Sequence, residues 1–123
     1  MKKTTLLLLS LFIISCSTKE RKCQDFKTGT FLFTQEINGK KLTSTFTRTE
    51  SLQIESFNGK TDTASVRWVS DCEFILQKLH PKTMNEKKAI SMTILATDKN
   101  SYTFEYSFVG DAKKQRGVVT KQE

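Results

Sequence analysis

From Gly29 onward, apolar and polar residues take turns along the chain. The clearest case is "SYTFEYSFV" (101–109), where Tyr102, Phe104, Tyr106 and Phe108 alternate with Thr103, Glu105 and Ser107. A period of two places successive side chains on opposite faces of an extended strand, whereas a helix would need apolar residues three or four apart. The same pattern, rich in Thr, Phe, Ile and Val, recurs in "TFLFTQEI" (30–37), "KLTSTFTR" (41–48), "SLQIESF" (51–57), "TASVRWV" (63–69), "CEFILQKL" (72–79), "KAISMTILAT" (88–97) and "KQRGVVTK" (114–121). Alternation then predicts the inner face. Phe31, Phe33, Leu42, Phe46, Leu52, Ile54, Val66, Trp68, Phe74, Leu76, Ile90, Met92 and Ile94 join the 102–108 set inside, while Thr34, Thr43, Gln53, Glu55, Arg67 and Thr93 face water.

The connections fix how these strands pair. Asn38-Gly39 and Asn58-Gly59 are strong two-residue hairpin signals because both residue types tolerate positive φ; Ser70-Asp71 and Asp98-Lys99-Asn100 are further turn signals. Only "HPKTMNEKK" (80–88) breaks the rhythm, and with Thr83 or Asn85 as an N-cap it reads as a loop or a single helical turn. Strands joined so tightly run antiparallel to their neighbours. The predicted fold class is therefore all-β: an up-and-down meander of about eight strands, closing into a small barrel, lipocalin-like in shape, or into a strongly curled sheet. A β-sandwich is the rival, although Greek-key sandwiches need at least one long connection.

Before Gly29 the pattern is different. Met1-Lys2-Lys3 precedes the apolar run "TTLLLLSLFIIS", which is too short to span a bilayer comfortably, so residues 1–15 read as an export signal. Ile13, Ile14 and Ser15 stand directly before Cys16, an order that closely resembles the lipobox of bacterial lipoproteins, in which the cysteine thiol takes a diacylglyceryl group before cleavage. Each buried acyl methylene contributes roughly 0.8 kcal/mol, so two or three chains hold a protein at the membrane. With Cys16 lipidated, residues 16–28 read as a polar tether and 29–123 as one β-domain. Cys23 and Cys72 remain as an even pair in an oxidising compartment, and a disulfide is expected.

Composition narrows the function classes. The formal net charge is +7, or +5 once Lys2 and Lys3 are removed with the signal. The basic residues stand singly or in pairs such as Lys40-Lys41 and Lys113-Lys114, which suits weak attraction to anionic headgroups or glycans and does not mark a nucleic-acid stripe. His80 is the single histidine, beside Pro81 in the expected loop, so neither a metal site nor a catalytic base is expected. Asp71 and Glu73 flank Cys72, but a turn position and an outward face suit capping better than acid–base work. No cofactor-binding motif stands out, and the glycines never group into a phosphate-cradling loop. What remains is binding. Phe33, Phe46, Trp68, Phe74, Tyr102, Phe104 and Tyr106 either line a pocket for a small apolar ligand or fill the interior outright.

Three stretches carry a wider resemblance: "CQDFKTGTFLF" (23–33), "SVRWVSDCEFILQKLHP" (65–81) and "YTFEYSFVGDAKKQRGVVTK" (102–121). They resemble small exported lipoproteins of the Bacteroidetes, a family without an established activity. Chains of this appearance are sometimes labelled a DNA topoisomerase IV, which needs an active-site tyrosine and metal-binding carboxylates in a far larger multidomain frame. The expectation is a non-catalytic, lipid-anchored envelope domain on the periplasmic face of the outer membrane, binding a small apolar ligand or an envelope component. An interaction or inhibitor module is the alternative. Size and disulfide use are similar to those of lysozyme-inhibiting lipoproteins, but a basic chain would repel a basic lysozyme.

Overall fold

The computed structural model describes residues 20–122, so the expected export signal at 1–15 and Cys16, the expected lipidation site, lie outside the described residues. A 3-10 turn (Cys23–Phe26) leads into eight strands: β1 (Gly29–Ile37), β2 (Lys40–Arg48), β3 (Leu52–Phe57), β4 (Lys60–Ser70), β5 (Glu73–Lys78), β6 (Ile90–Thr97), β7 (Ser101–Phe108) and β8 (Gln115–Gln122). Every neighbour in sequence is a neighbour in the sheet, and β8 pairs with β1 to close the barrel. The all-β meander is thus a barrel, and the sandwich alternative falls away.

Local chemistry explains the turns. Asn38 and Asn58 have φ of 53° and 49°, each followed by a glycine in the same left-handed region, the geometry a two-residue hairpin needs to match strand twist. Between β5 and β6, Thr83 Oγ1 accepts the Glu86 N–H at 3.2 Å while Glu86 Oε2 accepts the N–H groups of Lys82 and Thr83, a reciprocal capping box on a single turn.

Register assigns the faces, because directly opposed residues share one. Phe31↔Phe46, Val66↔Leu76 and Trp68↔Phe74 point inward as the alternation predicts, as does Tyr102, whose partner Val119 is buried with it. Strand β3 is the exception. Arg48↔Gln53 and Phe46↔Glu55 place Gln53 and Glu55 inside, while Ile54 pairs with Thr47 on the outer wall and is exposed. The reason is the short connection from Arg48 to Leu52: Thr49 Oγ1 accepts the N–H of Leu52 at 3.1 Å, which locks the turn and with it the parity of the strand. A second parity change lies in β6, where an irregularity between Ile94 and Ala96 lets both Ile94 and Thr97 face inward.

The N-terminal segment is not a free tether over its whole length. Cys23 and Phe26 are buried in the main core cluster beside Phe31, Phe46, Ile94, Tyr102, Phe104 and Val119. The Lys22 N–H donates to Thr97 Oγ1 at 2.8 Å, Arg21 Nη1 donates to the Ile94 carbonyl at 3.0 Å, and Lys121 Nζ donates to the Asp25 carbonyl at 2.6 Å. The expected disulfide Cys23–Cys72 pins the turn to the β4–β5 connection across 49 residues of sequence. Burial of Phe26 and the bridge together make residues 23–28 part of the domain, which therefore starts before Gly29.

Candidate functional site

The N-terminal turn closes one end of the barrel, and an arginine completes the closure. Arg48 ends β2 with its side chain inward and is 1 % exposed. Its Nε donates to Gln53 Oε1 at 3.1 Å, Nη1 to the Phe26 carbonyl at 2.8 Å and Nη2 to the Tyr102 hydroxyl at 2.8 Å. Around it stand four aromatic rings: Phe74, Phe31, Phe46 and Tyr102 have their centroids 4.5, 4.9, 5.3 and 5.8 Å from the guanidinium carbon. Neutral acceptors and ring quadrupoles thus replace the water a buried cation loses. Burial holds the Tyr102 hydroxyl above its ordinary pKa, with the Arg48 charge and hydrogen bond opposing that shift.

Above this floor the barrel is not filled. A chamber of about 240 Å³ opens between Phe33, Phe46, Met92, Phe104 and Tyr106, with Ser44, Arg48 and Gln53 among its polar lining. It shares Gln53, Glu55, Leu76 and Ile90 with a second space of about 270 Å³ at the mouth, under the 80–88 connection. At the mouth, Lys78 bridges Asp62 at 2.8 Å and Glu86 at 3.2 Å. The hydrogen bond to Asp62 raises the Lys78 pKa, against a smaller opposing effect of burial. Bonds from the Lys82 backbone and from Lys78 hold Glu86 below the ordinary carboxylate range.

The strand ladders explain why this end stays open. Pairing of β1 with β8 stops at Phe33↔Val119, and pairing of β2 with β3 stops at Thr45↔Ser56. Residues 34–43 therefore pair only with each other and stand clear of both neighbouring strands. Gly117 matters on the same wall. A Cβ there would lie 2.8 Å from Phe104 Cζ and 2.9 Å from Phe33 Cε2, so glycine is what lets these two rings meet edge to face with centroids 5.5 Å apart.

Of the residues the sequence singles out for a pocket, Phe33, Phe46, Tyr102, Phe104 and Tyr106 line the chamber. Trp68 and Phe74 do not. They pack on each other with centroids 4.5 Å apart in the core, and the Trp68 indole N–H is buried without a partner among the described residues. His80 and Asp71 are exposed, and Asp71 accepts a bond from Gln24 at 3.3 Å. Sequence reasoning missed Arg48, Ser44 and Gln53, because a polar residue within an alternating strand reads as outward. The one available signal was position: Ser44 and Arg48 fall two residues either side of Phe46, on its face.

These features define the molecule as an eight-stranded antiparallel barrel with a sealed floor and an open mouth. Compared with known proteins, the chain matches no family model, no curated protein and no solved structure.

Proposed function

We propose that this chain is a non-catalytic, lipid-anchored domain of the cell envelope, held on the periplasmic face of the outer membrane through Cys16, whose barrel binds a small apolar ligand. The observation that carries the binding half is the chamber itself. Phe33, Phe46, Met92, Phe104 and Tyr106 present apolar surface to a space that no side chain fills, and apolar chambers with a few placed polar groups are what small-molecule sites look like. The free-standing hairpin at residues 34–43 supports a route in, since its movement would break no ladder to β3 or β8. The lipobox-like run Ile13-Ile14-Ser15-Cys16 supports the anchor.

Native mass spectrometry of the delipidated mature chain tests the binding half. A co-purified small apolar mass, or uptake of an added apolar probe, is expected; a bare chain that takes up nothing would defeat it. Incorporation of labelled palmitate, abolished by Cys16→Ser, tests the anchor independently. A second reading, an interaction module for an envelope protein, is favoured by one feature: Leu79, Met84 and Val109 are exposed beside the mouth. A stable complex captured through that rim, with the chamber empty, is the outcome that would favour it.

A further inference from the structure

We infer that the ligand of this chamber is an amphiphilic carboxylate, an apolar body bearing one acid group that docks on Arg48. The inference rests on the apolar-ligand reading and deepens it. Arg48 carries five N–H groups in a planar fork. Three are bonded within the protein, to Gln53, Phe26 and Tyr102, which leaves one on each terminal nitrogen. The residue lines the chamber from below, and no carboxylate among the described residues lies within salt-bridge distance of it.

A buried guanidinium with spare donors and no counter-ion is the complement of a carboxylate, which accepts two N–H groups from such a fork in charge-assisted bonds. The walls above it supply the apolar remainder: Phe33, Phe46, Phe104 and Met92 are the surfaces a hydrocarbon or aromatic body would cover. Outside, the approach is of mixed charge, with Lys78, Lys88 and Lys113 standing among Asp62, Glu86 and Asp111, so the pull on an anion comes from Arg48 itself. Inside the chamber one group opposes the seat. Glu55 also lines the chamber, two positions beyond Gln53 on the same strand face, and its charge repels a carboxylate passing it. A ligand anion therefore gains most when seated fully on Arg48, beyond Glu55, where the guanidinium dominates.

The rival is a purely architectural arginine, satisfied by its aromatic ring and three bonds, in a chamber that prefers neutral ligands. Titration calorimetry of the purified mature chain with decanoate and with decanol at neutral pH separates the two. Decanoate is expected to bind about tenfold more tightly than decanol, the difference charge-assisted bonds make over neutral ones. Equal affinity, or a preference for decanol, overturns the inference and leaves the apolar-ligand reading standing; binding of neither overturns both.

Arg48→Gln is expected to bring the ratio of acid to alcohol affinity to about one, within the range of a lost charge-assisted bond, and a folded variant that keeps the preference overturns the assignment. Should that variant fail to fold, Glu55→Gln replaces it. Removing the like charge near the seat is expected to raise the ratio, and a ratio that does not rise overturns the proposal.

Discussion

At the scale of single residues, Arg48 decides the character of the interior. Taking a guanidinium out of water is costly, and here three hydrogen bonds and four aromatic faces offset that cost without an acid. Arg48→Met removes the cation but leaves the Phe26 carbonyl, Gln53 amide and Tyr102 hydroxyl to find other partners. We expect a loss of about 3 kcal/mol in urea unfolding, from buried acceptors left unpaired. Tyr102 adds a pH dependence. Its folded pKa is raised above 10.0 by burial, so as the pH climbs past the ordinary tyrosine value the unfolded chain gives up that proton first. The contribution of Tyr102 is thus complete below pH 10 and is lost as the pH rises through the folded value. The urea midpoint should fall on the alkaline side, and Tyr102→Phe should flatten that fall; an unchanged slope would remove Tyr102 as its source.

The strands themselves were largely legible in the sequence, and where legibility failed the cause is local. Alternation marks that two faces differ, and the Asn-Gly hairpins mark where strands reverse. Neither says which face a short strand of mixed character turns inward. In β3, Leu52 and Ile54 look like core and Gln53 and Glu55 like surface, yet the locked turn at Thr49 sets the opposite parity, and Gln53 is stabilised inside by its bond from Arg48. Gly117 in β8 shows the same dependence on a neighbour. In sequence it reads as a weakness in a strand; in the barrel it is the one side-chain-free place where Phe33 and Phe104 meet. Gly117→Ala should push those rings into the chamber. A destabilisation of about 1–3 kcal/mol is expected, as for overpacking of a well-ordered core. Uptake of an apolar probe should fall in parallel, and thermal unfolding with probe titration on one sample checks both.

For the whole molecule, the asymmetry between floor and mouth is what matters. One end carries the 3-10 turn, the disulfide, Phe26 and Arg48; the other carries a hairpin paired only within itself and a connection held by the Thr83–Glu86 cap. Reducing the Cys23–Cys72 bridge should lower stability by about 4 kcal/mol, the loop-closure value for a bridge of this span. It should also raise hydrogen exchange in residues 21–27 well before it affects β7. If exchange rose evenly along the chain, the bridge would be serving the barrel as a whole and not the floor. The sequence by itself determined the all-β meander and the two Asn-Gly hairpins, because strand period and turn chemistry are properties of neighbouring residues; with three cysteines in the chain, it pointed to the Cys23–Cys72 pair only through the reading of Cys16 as a lipid site. Only the tertiary structure decided that the sheet closes, that Gln53 and Glu55 turn inward, and that Arg48 lies under an open chamber. Those outcomes depend on which strands meet across the barrel, and a side chain's face is settled by its partner's register as much as by its own polarity.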